Sequence, residues 1–199
     1  MTDHVRSSLG SPHGGTLVDL LVPEQDRDKL TDEARNLPKL TVKERELSDL
    51  EMLAVGALSP LTGFQGEDDY RSILQTMHLS NGLAWTIPVT LSVDDEEAKR
   101  IGGADAVALT ATDGGEPLAL LQMSGVFRRD RETEAKTVFG TEDLEHPGVA
   151  ALVQPANTAS TAATLSATVR ACAATVSGVV ATTSAMARGE RPIMIPPEM

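Results

Sequence analysis

The sequence predicts an α+β fold, built on a small β-barrel or mixed sheet with helices at its periphery. Short apolar runs rich in Leu, Val and Ala alternate with amphipathic segments, and Gly or Pro turns separate most of them. Hydrophobic residues make up 41% of the chain and charged residues 23%, which is typical of a globular protein. Aromatic residues make up only 3%, so the core must consist mainly of aliphatic side chains.

The N-terminal segment is polar, and we expect residues 1–12 to be flexible. The run PHGGTLVDLLVP follows, with a glycine turn and then an apolar stretch that predicts a short strand ending at Pro23. From Pro23 to Asn36 the charges are dense, and Leu30 and Ala34 are four residues apart. We expect a surface helix or a loop there.

The clearest helix signal follows Leu40. Thr41 and Glu44 form a capping-box pattern, and the apolar residues beyond them recur on one face until Gly56, where the helix is expected to end. ALSPLTGFQG then predicts a tight loop, and Asp68 is expected to lie at the start of a second amphipathic helix.

The segment between residues 83 and 140 is predicted to alternate between strands and short helices. LAWTIPVTLSV predicts a buried strand in which Pro88 marks an edge or a bulge. DDEEAKRIG predicts a short helix with acids in its first turn and bases in its last. AVALTAT and EPLALLQMSGVF, joined by Asp113-Gly114-Gly115, predict a β-hairpin, and DRETEAKTVFG predicts a helix that ends at Gly140.

The composition changes near residue 150. Among residues 151–199, 23 of 49 are Ala, Thr or Ser, and none is Phe, Trp, Tyr, His, Lys or Asp. Leu165 and Val169 begin a pattern that fits one helical stripe, but weak helix formers and Gly178 oppose it. We therefore assign residues 13–150 to one folded domain and predict that residues 151–199 form a disordered or marginally helical tail.

Charge and cysteine content restrict the class of protein. The net charge of −12 opposes sequence-independent nucleic-acid binding, which depends on Lys and Arg. The only tight basic cluster, Arg128, Arg129 and Arg131, is flanked by acids and is interpreted as a solvated turn. The single cysteine, Cys172, permits no internal disulfide and suits a cytoplasmic protein. The polar N-terminus has no signal-peptide pattern, and no run approaches the roughly 20 apolar residues of a membrane-spanning helix.

The side chains that commonly carry chemistry form no recognisable site in the sequence. His13, His78 and His146 are interpreted as turn or helix-end residues, and the four histidines are too far apart in sequence to predict a metal site. The acid runs at 67–69 and 94–97 are each interpreted as the first turn of a helix. We therefore predict no catalytic, cofactor-binding or metal-binding residue in this chain.

The loop LSPLTGF is an exception, because it is too short to bury its own apolar residues. Leu58, Leu61 and Phe64 must pack on the helix before them or on another domain. Two interpretations stay open: the loop fastens the domain, or it takes a direct part in shaping an active site.

Four segments carry a resemblance to a known family. SDLEML leads through Gly56 into LSPLTGF, and PHGG, LSNGLAWTIPVTL and EAKTVFGTEDLEHPGV accompany it in the expected order. Together they resemble the N-terminal, PUA-like domain of ATP sulfurylases (sulfate adenylyltransferases). The resemblance covers roughly residues 13–149. Leu58 and Gln65 depart from it, since an aromatic residue and a methionine are usual at those positions.

The resemblance implies a PUA-like fold and a protein of sulfate activation. The family joins ATP and sulfate into adenosine 5′-phosphosulfate and releases pyrophosphate, with magnesium carrying the nucleotide. Its catalytic residues lie in a following domain marked by Gln-x-Arg-Asn-Pro and His-x-x-His, and neither motif occurs in this sequence. We therefore expect a truncated domain that is inactive alone and binds neither ATP nor magnesium. Its expected partner is a separate catalytic domain or chain, or a second copy of itself.

Other functions compete with this one. The chain could be a non-catalytic structural or interaction domain, or a remnant cut off by a frameshift after about Ala150, where the composition changes. An RNA-binding PUA module ranks below both, because the chain is acidic and lacks a basic surface with interleaved aromatic residues.

Overall fold

The computed structural model of the chain describes residues 10–153 and 163–172. The helices are α1 (Glu24–Arg35), α2 (Glu44–Ala54), α3 (Glu67–Thr76), α4 (Asp95–Ile101), α5 (Arg131–Glu134), which continues into a π-helical turn (Ala135–Phe139), and α6 (Pro147–Val153). The strands are β1 (Lys39–Thr41), β2 (Gly63–Phe64), β3 (Leu91–Val93), β4 (Ala106–Thr110), β5 (Pro117–Arg128) and β6 (Ala163–Ala171).

These strands form one six-stranded sheet in the order β1-β4-β5-β6-β2, and β3 also pairs with β6. β1 runs parallel to β4, and the other pairings between these strands are antiparallel. β6 lies inside the sheet, with β5 along one edge and with β2 and β3 along the other. The prediction of a mixed sheet with peripheral helices is confirmed.

The prediction of a disordered or marginally helical tail is wrong for residues 163–171, which form β6. The predicted domain boundary at residue 150 is also too early, because α6 continues to Val153 and the sheet needs β6. The rest of the predicted tail, at 154–162 and 173–199, lies outside the described residues, as do the first nine residues of the predicted flexible N-terminus.

The physical reason for the error is the period of burial along β6. Leu165, Ala167 and Val169 are buried, and Thr168 and Arg170 between and after them are exposed. Side chains of a strand point alternately to its two faces, so Leu165, Ala167 and Val169 share one buried face. β-branched residues favour strands, and this segment contains Thr164, Thr168 and Val169.

The main core lies between the sheet and the helices that cover it, and it is built from aliphatic side chains, as predicted. Leu50 of α2, Leu109 of β4, Leu121 of β5 and Leu165 of β6 are each fully shielded from solvent. Burying such a side chain stabilises the fold by about 1.5–3 kcal/mol relative to leaving it exposed. The four elements are therefore joined mainly by apolar packing.

The N-terminal segment joins the sheet only briefly. Instead of the strand predicted up to Pro23, Leu21 makes a single parallel bridge to Ala171 of β6. The following charged stretch was expected to form either a surface helix or a loop, and it forms the helix α1. Its buried residues Leu30 and Ala34 pack with Cys172 in a second, smaller apolar cluster.

The helix α2 forms as predicted but starts from different capping residues. The Glu46 carboxylate accepts the backbone N–H of Lys43 at 2.8 Å, whereas Thr41 is the last residue of β1. The predicted Thr41–Glu44 box is therefore wrong by two residues, because parallel pairing with β4 holds Thr41 in the sheet.

The strand predicted for LAWTIPVTLSV is shorter than expected, since only Leu91–Val93 pairs with β6. Pro88 has no N–H to donate. The N–H of Val89 donates to the side chain of Gln65, and the indole N–H of Trp85 donates to the carbonyl oxygen of Ile87. The polar groups of Val89 are thus satisfied by Gln65, which follows β2, and the indole N–H of Trp85 is satisfied within its own segment.

The remaining predictions for this half of the chain are confirmed. β4 and β5 form the expected antiparallel hairpin. Asp94 caps α4 by accepting the N–H of Glu97 at 2.7 Å. The helix that begins at Arg131 ends at Gly140, whose φ of 70° suits glycine, although its second half is π-helical rather than α-helical.

Candidate functional site

The LSPLTGF loop packs into the core of its own domain. Leu61 and Phe64 are 6% and 3% exposed, and Leu58 packs against the same cluster. The Ser59 hydroxyl accepts the backbone N–H of Val18 at 2.9 Å, which ties the loop to the N-terminal segment. These contacts support the interpretation that the loop fastens the domain.

Beside this loop lies a cleft of about 310 Å³, which we call the β2 cleft. Its lining includes the buried Gln65, the partly buried Asp69, and the exposed residues Thr62, Asn81 and Thr168. The cleft is positioned by β2, by the start of α3 and by β6, so its walls belong to three different parts of the chain. Its volume is at the lower end of those typical of small-molecule sites.

Gln65 is 3% exposed, and its orientation in the β2 cleft is fixed by Val89. Its Oε1 accepts the N–H of Val89 at 2.7 Å, while its own backbone N–H donates to the Val89 carbonyl oxygen at 3.0 Å. With Oε1 used in this way, Nε2 is left without a hydrogen-bond partner among the described residues. A buried donor without a partner is costly, so such groups call for an explanation.

Asp69 lies in the first turn of α3, as the acid run predicted, but it also makes a specific contact. Its Oδ1 accepts both the backbone N–H of Ser80 at 2.9 Å and the hydroxyl of Ser80 at 2.6 Å. These two bonds fix the carboxylate at the cleft and join α3 to the turn that follows it.

A buried ionic cluster forms where β5 meets α5. The Arg129 guanidinium makes two hydrogen bonds to the Glu134 carboxylate and a third to the Ser92 hydroxyl at 3.1 Å. The two charged side chains are 10% and 4% exposed. The interpretation of the arginine cluster as a solvated turn is therefore wrong for Arg129, because Glu134 neutralises its charge inside the fold.

Tyr70 completes this cluster from α3. Its hydroxyl donates to Glu134 Oε2 at 3.0 Å and accepts the backbone N–H of Asp130 at 3.0 Å. Burial, followed by the nearby Glu134 carboxylate, raises the pKa of Tyr70 well above its usual range. The pKa of Arg131 is lowered, first by burial and then by repulsion from the positive charge of Arg129. These contacts join α3 to α5, so we assign the cluster a role in stabilising the fold.

The histidines occupy the turn and helix-end positions expected from the sequence. The His13 ring bonds to the carbonyl oxygen of Ala84 at 2.8 Å, and the His78 ring bonds to a carbonyl oxygen at the end of α3. The His146 ring packs on Phe139, with the ring centres 5.2 Å apart. In the described part of the chain, no three His, Cys, Asp or Glu side chains are grouped closely enough to hold a metal ion.

Two structural features of this region escaped the sequence analysis. The pairing of Arg129 with Glu134 was not predicted, although the two residues are only five apart. The unpaired amide of Gln65 was not predicted either. Its only signal was the departure from the family pattern, in which a methionine is usual at that position.

An apolar patch lies at the end of α2. Leu17, Met52 and Val55 are 60%, 40% and 37% exposed. Met52 and Val55 are three residues apart and so share one face of the helix end, while Leu17 lies over the backbone of Gly56. We call these three residues the α2 patch.

None of the described helices is long and apolar enough to cross a membrane.

Comparison with known sequences identifies related proteins. The chain is 46% identical over 143 residues to a sulfate adenylyltransferase from Synechococcus sp. (strain JA-3-3Ab), covering 72% of this chain and 36% of that protein. It is 44% identical over 144 residues to a sulfate adenylyltransferase from Symbiobacterium thermophilum, again covering 72% and 36%. The matches lie in the N-terminal part of those proteins, so the chain spans about a third of their length. The resemblance stated from the sequence is confirmed.

A solved structure agrees with this result. The chain superimposes on a hexameric APS kinase from Thiobacillus denitrificans with a TM-score of 0.61 and 28% sequence identity, covering 83% of this chain and 27% of that one. A family model described as a PUA-like domain matches residues 10–164, which include the LSPLTGF loop and the first residues of β6. The chain therefore belongs to the PUA-like domain family.

Proposed function

We propose that this chain serves as the N-terminal domain of a sulfate adenylyltransferase in the cytoplasm. In that role it would contribute to making adenosine 5′-phosphosulfate and pyrophosphate from ATP and sulfate. The observation that carries the proposal is the 46% identity over 143 residues to the N-terminal part of such an enzyme.

The role assigned to the chain is structural rather than catalytic. The motifs that the resemblance places at the reacting centre, Gln-x-Arg-Asn-Pro and His-x-x-His, do not occur in the sequence. Adenylyl transfer to sulfate needs convergent cations and oriented N–H donors around the phosphates. Arg129 is already paired with Glu134. We propose that ATP and magnesium bind to a separate catalytic part and not to this chain.

The α2 patch is the surface proposed to contact that catalytic part. Three exposed apolar side chains grouped around the end of one helix are a feature of interaction surfaces. Gly56, which lies two residues after the end of α2 within the SDLEML–LSPLTGF segment, is close to Leu17. The same patch would serve self-association if two copies of the chain met there. The related APS kinase is itself described as a hexamer, which supports measuring the assembly state.

The direct test measures pyrophosphate release with ATP, magnesium and sulfate. The chain alone is expected to release none. When it is mixed with the C-terminal remainder of the Synechococcus relative, we expect a sulfate-dependent rate well above that of the remainder alone. Pyrophosphate release by the chain alone that depends on both ATP and sulfate would overturn the assignment of a non-catalytic role.

A pair of variants tests the surface. Leu17→Ser in the α2 patch should weaken the stimulation about tenfold, because it removes the most exposed apolar side chain of the patch. Leu144→Ser is the matched control, since Leu144 is 63% exposed but lies outside the patch. Equal effects of the two variants would contradict the proposed surface. Light scattering of the chain alone, with and without Leu17→Ser, distinguishes self-association from pairing with the catalytic part.

A further inference from the structure

The turn between α3 and β3 contains the only Asn-Gly pair of the sequence. Asn81 and Gly82 are both exposed, and Gly82 has a φ of 87°. An asparagine followed by glycine is chemically labile, because glycine has no side chain to hinder attack of its backbone nitrogen on the asparagine amide. The other two asparagines, Asn36 and Asn157, precede leucine and threonine, whose branched side chains hinder the same approach. Asn81 is therefore the asparagine with the most reactive local sequence.

The reaction open to this pair needs only water. The Gly82 nitrogen gives up its proton to a base in the solvent and bonds to Cγ of Asn81. The bond from Cγ to Nδ2 breaks, and ammonia leaves with a proton from water, so that a five-membered imide remains. Water then opens the imide at either carbonyl group, and position 81 becomes aspartate or isoaspartate. In the net reaction water is taken up and ammonia is lost, and nothing is oxidised or reduced.

The fold restrains both reacting groups. The Gly82 N–H donates to the Leu79 carbonyl oxygen at 2.9 Å, and Oδ1 of Asn81 accepts the N–H of Leu83 at 3.0 Å. The Leu79 N–H donates to the Leu83 carbonyl oxygen at 2.8 Å, which closes the turn. The nitrogen and the side-chain amide are each held by a different partner, so they can react only when the turn opens. Chemistry that is slow compared with this opening proceeds in proportion to the open population.

Asp69 of α3 holds the turn from outside. Its Oδ1 accepts the backbone N–H of Ser80 at 2.9 Å and the hydroxyl of Ser80 at 2.6 Å. Ser80 directly precedes Asn81, so these bonds anchor the residue next to the reacting one. Hydrogen bonds to a carboxylate are stronger than those between neutral groups, so losing them should raise the open population. We propose that Asn81 undergoes spontaneous deamidation and that Asp69 controls the rate by keeping the turn closed.

The product acts on the same contacts. Aspartate at position 81 adds a negative charge next to Ser80, to which the Asp69 carboxylate is bonded, and like charges repel. Isoaspartate passes the backbone through the former side chain and lengthens it, so the two hydrogen bonds of Leu79 across the turn cannot both keep their geometry. Leu79 is 3% exposed and belongs to the main core. Deamidation therefore loosens the attachment of this turn to the core, and it does so independently of adenylyl transfer.

The test is incubation of the full chain at mildly alkaline pH, with the deamidated fraction at each asparagine followed by peptide mass spectrometry. We expect deamidation at Asn81 before any at Asn36. Asp69→Ala removes both bonds to Ser80 and should raise the rate at Asn81 about tenfold. Asp68→Ala is the matched control, because Asp68 lies in the same first turn of α3 and leaves the bonds of Asp69 in place, so the rate should not change. Equal rates in the three proteins, or earlier deamidation at Asn36, would overturn the proposal.

A second variant and an unfolded reference separate control by the turn from general instability. Ser80→Ala removes only the hydroxyl bond to Asp69 and should raise the rate about threefold in a chain that circular dichroism shows to be folded. In urea that unfolds them, all the proteins should deamidate at one common, higher rate. If Asp69→Ala fails to fold, Ser80→Ala decides the question. The proposal is wrong if folded Ser80→Ala reacts no faster than the unmodified chain, or if the unmodified chain reacts as fast when folded as in urea.

Discussion

Gly63 of β2 lies so close to Ala167 of β6 that a methyl group on Gly63 would collide with the Ala167 carbonyl oxygen. The two strands pair antiparallel at this point, with Gly63 opposite Thr168 and Phe64 opposite Ala167. The obstacle is backbone, which cannot rotate away as the end of a long side chain can. The glycine of LSPLTGF is therefore required by the approach of β6.

Replacing this glycine should destabilise the protein. Gly63→Ala is expected to lower the free energy of unfolding by about 1–3 kcal/mol, because the strands must separate to admit the methyl group. Urea denaturation measures the change. Gly125→Ala is the control, since a methyl group at Gly125 would meet no atom within 4 Å. A Gly63→Ala protein as stable as the Gly125→Ala protein would show that β2 and β6 do not approach in this way.

Ending the chain after Val153 should abolish the folded domain. The shortened protein lacks β6, so β5 loses a partner strand and β2 and β3 lose their pairing. It also loses the fully buried Leu165. Circular dichroism and thermal unfolding should show no cooperative transition. A chain that ends after Ala174 keeps β6 and should unfold cooperatively; if both versions do so, the assignment of β6 to the sheet is wrong.

Replacing Thr164 with valine should stabilise the protein. Thr164 is fully buried, and its hydroxyl has no hydrogen-bond partner among the described residues. Valine has nearly the same shape and removes the unpaired group, so we expect a gain of about 1 kcal/mol in urea denaturation. Thr110→Val is the comparison, because Thr110 is equally buried but its Oγ1 lies 3.4 Å from Thr41 Oγ1. A loss of stability in Thr164→Val, or an equal gain in both variants, would contradict this account.

Tyr70 should hold its proton to an unusually high pH in the folded protein. Its pKa is raised by burial and by Glu134, whereas the same side chain in the unfolded chain ionises near about pH 10. The stability that depends on protonated Tyr70 is therefore complete below about pH 10 and is lost as the pH rises toward the folded-state pKa. Because the sequence contains one tyrosine, the ultraviolet phenolate absorbance reports this residue alone.

The control for this prediction is the Tyr70→Phe variant. Tyr70→Phe removes the hydroxyl that donates to Glu134 and accepts from Asp130, and should cost about 2 kcal/mol at neutral pH. The difference in stability between the two proteins should then shrink as the pH rises above about 10. A phenolate signal that appears near the usual tyrosine pKa while the protein remains folded would show that Tyr70 is not buried in this cluster.

The sequence analysis succeeded where the period of burial was unambiguous and the turns were short. α2, α4 and the hairpin of β4 and β5 were each announced by a local pattern, and each formed close to its predicted place. The LSPLTGF loop was predicted to bury its apolar residues on the helix before it or on another domain. It does so within its own domain, where Leu61 and Phe64 join the main core.

β6 could not be found in the same way, because the spacing of its large apolar residues fits two structures. Leu165 and Val169 are four residues apart, which places them on one face of a helix and equally on one face of a strand. The residue that distinguishes the two is Ala167, whose small side chain gives no strong signal. Only the pairing with β5 and β3, which are distant in sequence, decides the matter.

The site was harder to predict than the fold. Gln65 directly follows the LSPLTGF loop, and the partner of its amide oxygen, Val89, is 24 residues away. Arg129 and Glu134 are close in sequence, but their burial depends on Tyr70 from another helix. Local patterns contain none of this information.

The position of β6 also determines when the protein can fold on the ribosome. Translation delivers β6 after all the strands that flank it, so the sheet stays open until residue 171 has emerged. Until then β5 on one side and β2 and β3 on the other present unpaired edges, and such edges invite association with other chains. The nascent chain thus exposes these edges until β6 has been translated and has paired, and the rate at which the segment up to residue 171 is translated sets the length of that exposure.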